Sequence, residues 1–165
     1  MARKATTKCH KRTLILGMGN SILSDDAIGL IVAKKVYERL GTWNSKIGSV
    51  SLQLAETGGM NLLDIIQGYD RLIVIDSVKT GRFKPGEVIE IDAKGVIGSH
   101  RMLSSHDISL FEAIRLGNQL SVRMPETVKI YGIEIINNTD FGDKLTEELE
   151  EKLEGITDRI ANRFC

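Results

Sequence analysis

Apolar positions follow different rhythms along this chain. Leu14-Ile15-Leu16 and Leu72-Ile73-Val74-Ile75 are continuous apolar runs, as expected of parallel strands buried on both faces. Ile28, Val32, Val36 and Leu40 recur every four residues, which predicts a helix over 26–40. The same rhythm returns in Leu145, Leu149, Leu153, Ile156 and Ile160 and predicts a last helix over 145–164. Its run of Glu147, Glu148, Glu150, Glu151 and Glu154 forms the solvated side. Strands are predicted over 13–17, 50–54, 71–76 and 128–135. Residues 87–91 alternate like a less buried, antiparallel strand after a Lys84-Pro85-Gly86 turn. A short helix over 60–66 follows the Gly58-Gly59 turn, and another is predicted over 107–116, after a loop at 93–106. Strands and helices alternate throughout. The expected fold is therefore α/β, a three-layer sandwich with a mostly parallel central sheet and helices on both faces.

Composition narrows the function classes. The chain has 165 residues and 42% hydrophobic residues, enough for one domain with a substantial core. Lys and Arg number 22, as do Asp and Glu, so no net charge draws the chain to nucleic acid or anionic lipid. No stretch approaches the ~20 apolar residues of a membrane span, and none near the start resembles a secretory signal. Residues 1–12 are basic and almost without apolar side chains, so they read as a flexible tail ahead of a single domain over 13–165. Cys9 and Cys165 are terminal bystanders, which fits a reduced cytoplasmic setting and argues against a disulfide framework or a zinc cluster.

The densest chemistry lies in Gly17-Met18-Gly19-Asn20, which leads into Asp25-Asp26. A strand, glycine turn and helix suggest a nucleotide site. Ile22 stands where the dinucleotide fingerprint needs its third glycine, and two carboxylates repel phosphate. The loop suits a carboxylate held near something positive. Open α/β sheets bind ligands at the carboxyl ends of their strands, and three candidates converge there: Asp26 after the first strand, Asp76 ending the most buried one, and His106 before a helix. Two carboxylates and an imidazole suit nickel, zinc or cobalt, and three ligands leave open positions. Each residue also has a plainer reading. Asp25 or Asp26 fits a helix N-cap, Asp76 a turn at the strand end, and His106 a surface or capping histidine. No Gly-x-Ser-x-Gly elbow or His-Glu-x-x-His helix is present.

These same residues carry a family resemblance. Gly17-x-Gly19-Asn20 with Asp25-Asp26-x-x-Gly29, Ile73-Val74-Ile75-Asp76 and Ser105-His106-Asp107 together resemble the hydrogenase maturation endopeptidases, in order and approximate spacing. Thr57-Gly58-Gly59 is similar to that family's glycine-rich loop near the cleft, Lys84-Pro85-Gly86-Glu87 to its turn, and Tyr131-Gly132-Ile133-Glu134 to its later strand. Ala27 replaces a frequent glycine, and Ile135-Ile136-Asn137 stands where proline is common, so the rim loop there departs from the pattern. The resemblance implies a cytoplasmic endopeptidase that trims the C-terminus of a nickel–iron hydrogenase large-subunit precursor. It implies that Asp26, Asp76 and His106 meet nickel already held by the precursor, with Gly58 and Gly59 in a substrate loop. Isolated protein is then expected to hold nickel weakly or not at all. Two other readings stand beside this one: a nucleotide-binding module, and a metal-dependent maturation checkpoint that binds precursor without cutting it.

Overall fold

A computed structural model describes residues 11–56, 62–92 and 105–164, with the backbone alone described at 92 and 105–109. The strands are β1 (Arg12–Gly19), β2 (Trp43–Asn44), β3 (Gly48–Glu56), β4 (Arg71–Val78), β5 (Val88–Asp92) and β6 (Thr127–Glu134). The helices are α1 (Ile28–Leu40), α2 (Leu62–Ile66), α3 (Ser105–Gln119) and α4 (Glu147–Ala161), and a 3-10 turn at Ser24–Ala27 precedes α1. One six-stranded sheet has the order β2-β3-β1-β4-β6-β5. Its four central strands are parallel, and β2 and β5 pair antiparallel at the two edges.

The alternation of side chains along each strand sorts the core into two halves. Ile15, Ile73, Ile75 and Ile133 pack with Val32 and Val36 of α1 and with Leu149 and Leu153 of α4. Leu14, Leu16, Leu72 and Val74 face the opposite way, against Ile66 of α2 and Leu110 of α3. This is the expected three-layer arrangement. Each such side chain, removed from water, contributes about 1.5–3 kcal/mol before entropy is counted. The predicted stripes of α1 and α4 are both buried. The five glutamates of α4 are exposed, and Glu154 pairs there with Lys35 (2.6 Å) and with Arg39 of α1.

Several boundaries differ from the sequence reading, each for a physical reason. The first helix begins at Ile28 rather than 26, because no side chain caps the 3-10 turn and the carboxylate of Asp25 is engaged elsewhere. The last helix begins at Glu147 for the same reason, since Thr146 is extended and donates to Asp25 instead of capping its own helix. The strand β1 starts at Arg12, within the expected tail, because its N–H finds the Asp70 carboxylate at 2.7 Å. The tail at 1–10, the loop at 93–104 and Gly58 and Gly59 lie outside the described residues.

Candidate active site

The topology makes the crevice. From β1 the chain passes through α1 to β3 on one side, then through α2 to β4 on the other side of β1. The strand order therefore reverses between β1 and β4. At such a switch point the loops leave in opposite directions and open a cleft beyond the carboxyl ends of the strands. Asp26 lies in the turn after β1, and Asp76 lies near the end of β4.

Glycines let the first turn of α1 settle onto these strands. A Cβ on Gly29 would overlap the carbonyl oxygen of Met18 and meet the Ile75 oxygen at 2.8 Å and the Asp76 Cα at 3.0 Å. A Cβ on Gly19 would run into the Asp26 carbonyl. The motif glycines are thus used for close packing of helix on strand. That leaves little of the open backbone cradle a nucleotide phosphate needs.

The adjacent carboxylates divide their work. Asp25 is fully buried. Its Oδ1 accepts the Thr146 N–H at 2.7 Å, and its Oδ2 accepts the Asn137 N–H at 3.0 Å and the Thr146 hydroxyl at 3.3 Å. The helix-cap reading does not describe Asp25: its side chain braces a rim loop 112 to 121 residues away. Asp26 is partly exposed. Its Oδ1 accepts a hydrogen bond from the hydroxyl of Ser77, which is buried and directly follows Asp76. Asp76 is itself fully buried, and its Oδ1 accepts the Ser77 N–H at 2.8 Å. By strand alternation Ser77 shares the α1 side with Ile73 and Ile75, whereas Asp76 shares the α3 side with Leu72 and Val74. The two predicted carboxylates are thereby joined through one serine at the head of the crevice.

His106 lies in the first turn of α3, on the Asp76 side of the sheet, and its side chain is outside the described residues. Among the described residues no three His, Cys, Asp or Glu side chains form a metal-binding group. The two carboxylates fit the oxygen part of such a set.

A third buried carboxylate was not singled out in the sequence. Glu134, at the end of β6, accepts the N–H groups of Thr80 (2.8 Å) and Gly81 (2.7 Å) and the Thr80 hydroxyl (2.7 Å). It holds the loop leaving β4 as Asp25 holds the loop leaving β6. Ser77 was missed as well, although Asp76-Ser77 is a pair of polar residues in an otherwise apolar strand, and two successive strand residues address opposite faces. Both catches leave Asp26 as the partly open carboxylate on a rim fixed from beneath.

Comparison with known proteins agrees with this fold. The family model HycI, hydrogenase maturation protease, matches residues 32–163. The chain is 24% identical over 150 residues to the hydrogenase expression/formation protein HupD of Bradyrhizobium diazoefficiens, covering 90% of this chain and 75% of that one. It is 28% identical over 138 residues to HupD of Rhodobacter capsulatus, covering 82% of this chain and 62% of the relative, less than two thirds of its length. The [NiFe] hydrogenase maturation protease HybD from Thermococcus kodakarensis has the same fold, with a TM-score of 0.70 at 20% identity over 93% of this chain and 99% of that one. Among the described residues no helix is long and apolar enough to cross a membrane. With the family model matched over most of its length, the chain belongs to the hydrogenase maturation protease family.

Proposed function

We propose that this protein is a cytoplasmic endopeptidase that removes the C-terminal extension of a [NiFe]-hydrogenase large-subunit precursor after nickel insertion. The observation that carries the reading is the convergence of Asp26 and Asp76, from different strand ends, at the switch-point crevice and their link through Ser77. In this reading Asp26, Asp76 and His106 face the nickel that the precursor brings, and Gly58 and Gly59 belong to a loop that receives the substrate. Two carboxylates and an imidazole suit a borderline ion and leave positions for the precursor's own ligands. Metal in this role marks a finished substrate, and it supplies Lewis acidity at the scissile carbonyl or at water. The chain's own part is to hold two carboxylates on a rigid frame, one of them open to solvent, where a proton from attacking water can be accepted. Described residues offer no activated serine at this place, because the Ser77 hydroxyl is buried and spends its proton on Asp26.

The test is cleavage of nickel-loaded and nickel-free precursor by metal-free protein, read by intact mass. Loss of the extension from the loaded form alone is the expected result. Equal cleavage of both forms removes nickel sensing and leaves the protease. Binding without any mass change identifies a checkpoint instead. Isolated protein is expected to purify with little nickel, measurable by metal analysis.

A further inference from the structure

Three large apolar side chains stand exposed on the two segments that carry and brace Asp26. Ile22 is 58% exposed, Phe141 81% and Ile136 41%. They are not loose ends. Leu23 and Gly142 form a short parallel bridge, in which the Ser24 N–H donates to the Gly142 oxygen and the Gly142 N–H to the Ile22 oxygen, both at 3.1 Å. The Ser24 hydroxyl adds a bond to the Lys144 oxygen at 3.0 Å. Asp25 then ties Asn137, the neighbour of Ile136, to the same base. Ile22 and Phe141 thus flank one bridge, four residues before Asp26 and four after Asn137 in the chain. A braced phenylalanine left in water is unfavourable in the free protein, and clustered exposed apolar groups rimmed by polar ones mark contact surfaces. Leu120, 62% exposed beyond the far end of α3, lies away from the crevice.

We propose that Ile22, Ile136 and Phe141 form a docking ledge for the precursor, receiving an apolar side chain of the polypeptide that enters the crevice beside Asp26. The inference rests on the protease reading for the identity of its partner. Continuity selects that partner: backbone bonds and Asp25 fix the ledge and the open carboxylate as one unit, and Ile22 is only four residues from Asp26, so a polypeptide seated at Asp26 has the ledge within reach of its neighbouring residues. Burial of such side chains at the centre of a contact gives a few residues a large share of the binding energy.

The experiment compares the wild-type protein, an Ile22→Ser/Phe141→Ser double variant and a Leu120→Ser control. Binding of the nickel-loaded large-subunit precursor is measured by biolayer interferometry, cleavage by mass, and oligomeric state by light scattering. The double variant should bind at least 10-fold more weakly and show a correspondingly higher KM with kcat within twofold, while Leu120→Ser behaves as wild type. Partial recovery in Ile22→Val/Phe141→Leu is expected. Wild-type Kd in the double variant overturns the ledge. So does a wild-type dimer that the double variant dissolves without change in Kd, since the occupant is then a second copy. If the wild-type protein binds precursor without cutting it, the protease reading fails while the binding constants still decide the ledge. Failure of the wild-type protein to bind overturns both.

Discussion

The hydroxyl of Ser77 donates to Oδ1 of Asp26, a residue 51 positions earlier in the chain. The bond fixes the rotamer of the open carboxylate and occupies one of its oxygens. Ser77→Ala should keep the fold and reduce processing by about 10- to 100-fold, the usual effect of losing a residue that orients a working carboxylate. Ser77→Thr, which keeps a hydroxyl, should recover much of the rate. Single-turnover cleavage checks both. Unchanged kinetics in the alanine variant would mean that Asp26 needs no such orientation.

The two neighbouring aspartates should separate by phenotype. Asp25→Ala leaves the N–H groups of Asn137 and Thr146 without their acceptor in a part-buried site. It should cost about 2–3 kcal/mol of stability, seen as a lower urea midpoint. Asp26→Ala, at a partly exposed position, should cost less, about 1 kcal/mol for the Ser77 hydroxyl left without its acceptor, and abolish processing. The reverse pattern would exchange the roles assigned here.

Asp76→Ala and His106→Ala should also abolish processing while circular dichroism stays that of a folded α/β protein. Full activity in either removes that residue from the site.

Gly29→Ala tests the seat of the first helix. The added methyl would overlap the Met18 oxygen and press on Asp76. A cost of about 1–3 kcal/mol is expected from overpacking, together with loss of activity as α1 lifts from β1 and β4. Gly155→Ala in exposed α4, where an added Cβ meets nothing within 4 Å, should be neutral or slightly stabilising.

Asp70 gives a pH test away from the site. The N–H of Arg12, followed by the Arg123 guanidinium, holds its carboxyl below the usual carboxylate value against an opposing effect of burial. A carboxyl depressed in the folded state stabilises the protein above its unfolded pKa of about 3.9 and loses that contribution as pH falls through the lower folded value. Asp70→Asn should therefore be less stable than wild type at pH 7, with the gap closing below pH ~4. A gap that is the same at pH 7 and pH 3 would show that the charge of Asp70 contributes nothing.

The family itself was legible in the chain, because local physics writes its main marks. Continuous runs such as Leu72-Ile73-Val74-Ile75 report burial on both faces, and the four-residue stripe of α4 reports a helix with one buried side. From that alternation came the three layers, the parallel centre and the place of Asp26 and Asp76 at strand ends. Tertiary structure decided what each carboxylate does. Asp25 and Asp26 are chemically alike and adjacent, and nothing local tells which one is buried against Thr146 and Asn137 and which is left open. The bridge of Leu23 to Gly142, the capture of Thr80 by Glu134 and the bond from Ser77 to Asp26 each join residues more than 50 positions apart. Such contacts exist only once the strand order brings distant loops to one end of the sheet, so pattern within a window of ten or fifteen residues carries no record of them.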